Sequence, residues 1–184
     1  MLSPLKKLGL KKNWIYEVVV TTGKSAAPMG FWTPDFERVM LRVYKTSGTY
    51  RNILHERKFA INFVEDVAVF YYSLFKKEKL RFKKIKNSDV PVLADAKSWI
   101  LLDVVGIYDL NDKVDITAKI KKSKISKNTR LINRAEFLAL ECMIKATKRG
   151  AKKSEIRKYC EKIKKVAPKS EYEKIVEGMV KWLR

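Results

Sequence analysis

Three short runs of strand character fill positions 14–44 in the pattern of apolar and polar residues, each closed by turn-forming residues. Residues 14–22 are β-branched and aromatic. A period of two puts Trp14, Tyr16, Val18 and Val20 on one face and Ile15, Glu17, Val19 and Thr21 on the other. Gly23-Lys24 predicts a tight turn into a second strand over Ser25–Trp32, where Pro28 argues for an edge position or a bulge. Thr33-Pro34-Asp35 predicts the next turn, and Arg38–Tyr44 a third strand. Three antiparallel strands in quick succession predict a barrel or a strongly curved sheet.

The pattern then changes period. Residues 49–55 predict a short helix capped by Thr49, with Asn52 close to the free amides of its first turn. Strand character returns over 58–64. Asp66 offers a cap to Val67–Phe75, a run apolar on all sides, so periodicity leaves helix and strand open, with helix preferred. Residues 76–95 read as a basic loop punctuated by Pro91. Two further strands over 99–108 and 114–120, joined by Asp109-Leu110-Asn111-Asp112, bring the total to about six.

Beyond residue 128 the spacing is helical. Leu131, Ala135, Leu138, Cys142 and Lys145/Ala146 form one stripe, which Gly150 is placed to stop. Ser154 predicts the cap of a second helix with Ile156, Tyr159, Cys160 and Ile163 inward, broken by Pro168. Ser170-Glu171-Tyr172-Glu173 is a capping box opening a third helix, with Tyr172, Ile175, Val176, Met179 and Leu183 inward. The expected organisation is mainly β, an α+β fold, with a barrel domain over 1–127 and a three-helix unit over 128–184.

Composition narrows the class. The 184 residues are 46% hydrophobic, enough for a packed core and against global disorder. No apolar run approaches the roughly 20 residues of a membrane span, and the first residues lack the apolar stretch of a signal peptide. A soluble, cytoplasmic chain is expected. Lys and Arg total 41 against 20 acids, a net charge of +21 that would attract polyanions. The cations are spread from end to end, and Lys152, Lys153, Lys158, Lys162 and Lys164 fall on helix exteriors, where solvated lysines normally sit. Cys142 and Cys160 have no Cys or His at a ligand spacing, which argues against zinc and for free thiols.

Chemistry is suggested by spacing in one region. Arg42 and Lys45 bring positive charge, Ser47 and Thr49 bring hydroxyls, and a helix start brings free amides, a set suited to a phosphate. The small residues of Ala26-Ala27-Pro28-Met29-Gly30 would leave a strand edge open to a planar heterocycle, with Thr21 and Thr22 across the hairpin as donors. Taken singly, a capped helix with solvated cations and a plain hairpin with a proline bulge account for each half equally well. The lone histidine, His55, has no partner that would make it an acid or base, and no Ser/His/Asp arrangement, GxGxxG or P-loop is present.

In combination and order these segments resemble the flavin-reductase-like FMN-binding split barrels, and most closely the largely archaeal family of domain of unknown function 447. The segments are 16–22, Ala27-Pro28-Met29-Gly30, Thr49-Tyr50-Arg51-Asn52-Ile53 and Phe59-Ala60-Ile61-Asn62-Phe63, joined further on by Asn133-Arg134-Ala135 and 141–149. The resemblance implies a six-stranded split barrel, a homodimer, and FMN near the dimer interface. It implies Lys45, Ser47, Thr49 and Asn52 on the phosphate side. Thr21, Ala27, Met29 and Gly30 would flank the isoalloxazine, and Asn62 would join the site from the following strand. The turn Gly23-Lys24-Ser25 is shorter than the family's loop. An FMN-dependent oxidoreductase or flavin reductase, fed by a nicotinamide or other electron donor, is the leading expectation. A non-catalytic flavin carrier or sensor is an alternative, as is a basic nucleic-acid-binding barrel using Trp99, Tyr108 and Phe82 for stacking.

Overall fold

The computed structural model describes residues 2–23, 25–148 and 150–182, so Leu183 and the middle of the Gly23-Lys24-Ser25 turn lie outside the described residues. Two compact units are present, one from residues 2–12 and 17–132, the other from 13–16 and the chain from 133 onward.

The first unit is a closed six-stranded barrel. Its strands are β1 (Tyr16–Thr22), β2 (Ser25–Trp32), β3 (Arg38–Tyr44), β4 (Lys58–Phe63), β7 (Ser98–Leu110) and β8 (Lys113–Lys124), in the order β1-β2-β3-β8-β7-β4. Closure is made by β1 against β4, with Val19 opposite Asn62 and Thr21 opposite Ala60. Along β3 the alternation expected of a half-buried strand is complete: Val39, Leu41 and Val43 are buried, while Arg38, Arg42 and Tyr44 are exposed. Phe31 and Phe63 meet edge to face inside the unit, with ring centroids 5.7 Å apart.

The run 76–95 is not a loop. It carries a short hairpin of β5 (Phe82–Ile85) and β6 (Ser88–Leu93), turned at Asn87 with φ 62°. Ile85, Val90 and Val92 pack on Ala60, Trp99 and Leu101, covering the outer face of β4 and β7. That cover explains why β4 is buried on both faces, while Val19 of β1 is covered by Val69 of the helix that follows β4 and by Leu93. It also buries Trp99 at 8% exposure, which removes this ring from the stacking set, whereas Tyr108 and Phe82 stay exposed.

Three helices accompany the barrel: α1 (Pro4–Lys7), α2 (Gly48–Glu56) and α3 (Val67–Phe75). Asp66 caps α3 by accepting the Ala68 N–H at 2.8 Å, as the sequence predicts. One side of α3 packs through Val69 and Phe70 against Val19, Ala26 and Val64. The other side exposes Val67, Tyr71, Leu74 and Phe75, so the helix is apolar all round without being buried all round. The cap of α2 is Ser47 rather than Thr49, because Ser47 Oγ takes the Tyr50 N–H at 3.1 Å, and Thr49 lies inside the first turn.

The second unit holds α4 (Arg134–Ala146), α5 (Lys153–Val166) and α6 (Glu171–Trp182) around Ala135, Ala139, Cys142, Ile156, Ile163 and Val176. Asn133 caps α4, and Ser170 Oγ takes the Glu173 N–H at 3.2 Å, giving the first half of the capping box. The second half differs: Glu173 accepts the N–H of Lys169 instead of that of Ser170. Lys152 precedes α5 without a side-chain cap, and Ser154 lies within the helix. Ile175 is 38% exposed rather than inward. Cys142 and Cys160 are free, and burial pushes both thiols up from their ordinary pKa. No described helix is long and apolar enough to cross a membrane.

Candidate functional site

Two bonds between an amide and a hydroxyl bring together residues far apart in sequence. Asn52 Nδ2 on α2 donates to Thr22 Oγ1 on β1 at 2.9 Å, so the short helix is pinned to the end of the first strand. Asn62 Nδ2 on β4 donates to Thr21 Oγ1 at 3.1 Å and to the Val19 carbonyl at 3.0 Å. The other end of Asn62 accepts the Leu93 N–H at 2.8 Å, and Thr21 donates to the Pro91 carbonyl at 2.7 Å. Thr21 and Asn62 are both fully buried, and these bonds use both amide donors of Asn62. They lock β1, β4 and β6 together, and their polar atoms face the protein's own backbone.

The corner between β3 and α2 carries the second group. Ser47 donates to the Tyr44 carbonyl while accepting the Tyr50 N–H, so its hydroxyl is committed to the cap. The first-turn amides of Gly48 and Thr49 stand outside that cap, at the positive end of the helix dipole. Arg42 does not project alone. The β3–β8 register sets it opposite Asp115, and the guanidinium makes a two-pronged pair with both carboxylate oxygens at 2.7 Å. That pairing holds the Arg42 pKa above its ordinary value, and the guanidinium also lies 5.7 Å from the Trp32 ring centre. Lys45 pairs with Asp109, whose pKa is lowered by that ammonium and by the Asn111 N–H. Asp109 and Asp115 are the residues that sequence spacing misses here. Only strand register reveals them, 64 and 73 positions from their partners.

Ala27, Met29 and Gly30 lie half-buried on β2. β2 is not an edge strand, since it sits between β1 and β3. Its ladder to β3, however, joins Phe31 to Leu41 and Trp32 to Met40, at the far end of the strand. Pro28, which has no N–H to donate, falls before that ladder begins. The small-residue stretch therefore has no ladder to β3, although the strand as a whole is internal.

Further along α2 is an open groove of about 880 Å³, lined by Gly23, His55, Glu56, Phe82, Lys84 and Pro91. Its far wall is the β5–β6 hairpin, so it could not be foreseen while that segment read as a loop. Gly23 has φ 47°, in the left-handed region that favours glycine, and a Cβ there would displace the Glu56 carboxylate, 2.8 Å away. Lys58 and Asp89 at the rim neutralise one another at 2.6 Å, which raises the lysine pKa and lowers that of the aspartate. Among the described residues no cluster of His, Cys, Asp and Glu is arranged to hold a metal ion.

Known proteins were compared with this geometry. A family model described as "Protein of unknown function (DUF447) N-terminal domain" matches residues 16–127. An FMN-bound protein of that family from Methanosarcina mazei superposes over 97% of this chain and 100% of its own, with 23% identity and a TM-score of 0.58. An NADH:FAD oxidoreductase from Streptomyces globisporus C-1027 matches over 64% of this chain and 74% of its own, with 14% identity and a TM-score of 0.54. An FMN-binding protein from Thermus thermophilus with bound p-hydroxybenzaldehyde matches over 61% of this chain and 72% of its own, with 12% identity and a TM-score of 0.51. No curated protein is detectably similar to the chain. The barrel of the first unit is the split barrel of these flavin proteins.

Proposed function

The chain belongs to the DUF447 family of proteins of unknown function, and on that premise we propose that it binds FMN and serves in oxidoreduction. The observation that carries this reading is the Asn52–Thr22 bond. It draws the first turn of α2 to the β1 end of the β1–β2 hairpin, on which the stretch of β2 without a ladder to β3 lies. The donor set suits a phosphate ester carrying a flat ring. The first-turn amides of α2 and the Thr49 hydroxyl would hold the phosphate, with Ser47 fixing the helix start and Asn52 fixing its distance from β1. Thr22, Ala27, Met29 and Gly30 would flank the ring system.

Arg42 and Lys45 would add positive potential from one side, moderated by Asp115 and Asp109. Thr21 and Asn62 are positioning residues, since their polar atoms hold β1 against β4 and β6. FMN supplies hydride or single-electron transfer when bound; the protein supplies binding, orientation and electrostatics. The electron donor in this reading is a nicotinamide nucleotide or another small reductant.

Titration of the apo-protein with FMN and with riboflavin is the test. FMN should bind more tightly, and Thr49→Ala combined with Asn52→Ala should weaken FMN by about 1–3 kcal/mol through lost hydrogen bonds. Equal affinity for the two ligands would remove the phosphate assignment.

A homodimer is part of the same proposal. The exposed face of α3, with Val67, Tyr71, Leu74 and Phe75, is apolar surface that a second copy would cover. Sedimentation equilibrium at micromolar concentration should give about twice the 21.4 kDa chain mass. A flavin-loaded monomer would sink the shared-site idea.

A further inference from the structure

The groove between α2 and the β5–β6 hairpin has a composition of its own. Phe82 and Pro91 give it an apolar wall, and Phe82 keeps 39% of its surface exposed there although Ile85 on the same strand and Val90, Val92 and Leu93 on β6 are packed inward. Most polar groups of the lining are already engaged. Lys58 pairs with Asp89, and Ser88 bonds within its own turn to Val90. Two are not. His55 from α2 and Lys84 from β5 are exposed and make no hydrogen bond or ion pair among the described residues. An apolar wall with one free ammonium and one free imidazole is complementary to a planar ring bearing a negative group. The ring covers Phe82 and Pro91, and the anion meets Lys84 and His55. At about 880 Å³ the groove lies in the range that accepts ligands of several fused rings.

We infer that this groove is a binding site for a small planar aromatic carboxylate, separate from the phosphate corner at the other end of α2. The assignment stands on the groove's own residues and does not require FMN to bind. A carboxylate held there would lie past the Asn52–Thr22 bond, on the side of the β1–β2 turn away from the α2 N-terminus. In the flavin reading this ligand is the electron-accepting or electron-donating substrate.

The test uses the full chain at about 0.15 M salt, where weak surface attraction is screened. Calorimetric titration with 2-naphthoate should give a dissociation constant below about 1 mM. The neutral isostere 2-naphthamide and the non-planar anion cyclohexanecarboxylate should each bind about 10-fold more weakly or not at all. Phe82→Ala and Lys84→Ala should each cost about 5- to 10-fold in naphthoate affinity at unchanged thermal midpoint, while Lys153→Ala on α5 costs nothing. Absence of naphthoate binding, equal binding of all three probes, or equal loss in the Lys153→Ala control would overturn the assignment. Competitive displacement of naphthoate by FMN would also overturn it, by making the groove part of the flavin site. The flavin reading is judged separately, by the FMN and riboflavin titration of the Thr49/Asn52 variant.

Discussion

Replacing Asn62 with alanine should destabilise the barrel unit by roughly 3–5 kcal/mol, the largest effect expected of any single polar substitution in this chain. The side chain is fully buried and makes three hydrogen bonds, to the Val19 carbonyl, the Thr21 hydroxyl and the Leu93 N–H. Truncation leaves the Val19 carbonyl and the Leu93 amide in a dry environment without these partners, and each such loss costs about 1–3 kcal/mol. Urea unfolding gives the magnitude, and hydrogen exchange gives the place: amides of β1, β4 and β6 should lose protection before those of β3 and β8. Asn62→Asp should be no better, because a carboxylate keeps the Leu93 bond but turns an acceptor toward the Val19 carbonyl. If Asn62 were instead a ligand contact, alanine would change flavin affinity and leave stability nearly untouched. A loss below about 1 kcal/mol would therefore contradict the positioning role.

The second large effect is expected in the helical unit. Asn133 caps α4 by accepting the Ala135 N–H at 2.8 Å, and its amide donates to the Ile15 carbonyl at 2.7 Å and the Val166 carbonyl at 2.9 Å. One side chain thus ties the segment before β1, the start of α4 and the end of α5. Asn133→Ala should cost about 2–4 kcal/mol, the sum of a lost cap and two buried carbonyls left short of a donor. Asn133→Ser separates the two contributions, since serine is a competent cap but cannot reach both carbonyls. Its loss should fall near half that of alanine. Exchange protection in α4 and near Val166 should drop in both variants, with α6 less affected. Equal stability of the alanine and serine variants would mean that the cap contributes nothing beyond the two carbonyl bonds.

These two residues illustrate different degrees of legibility. Asn133 lies inside the helical stripe that the sequence begins at Leu131, and it becomes a cap because α4 starts only at Arg134. Its two carbonyl contacts, to residues 118 and 33 positions away, follow no local rule. Asn62 reads from sequence as a site residue because it follows the short helix in a resembling order. Folding turns it inward, because the β1–β4 register sets it against Val19, and the β5–β6 hairpin closes over it. Arg42 and Lys45 behave alike. Their charges are visible in the sequence, and their neutralising partners are visible only once β3, β7 and β8 are laid side by side. The hairpin itself was hidden by its lysines. Lys83, Lys84 and Lys86 face solvent, and the apolar residues that dock, Ile85, Val90 and Val92, are too few to produce a strong period.

What the sequence by itself determined is local in origin. Alternation over β3, the glycine turn after β1, the Asp66 and Ser170 caps and the stop before Pro168 all depend on a residue and its near neighbours in the chain. The tertiary structure alone decided which polar groups are spent on the protein and which remain for a ligand. Hydrogen bonding saturates: once Thr21 and Asn62 meet partners brought by strand register, their atoms have little left to offer. His55 and Lys84 meet no such partner among the described residues. Register is set by the packing of the whole barrel, where a shift of one residue would turn every buried side chain outward. That choice is cooperative and long-range, and no window of sequence contains it.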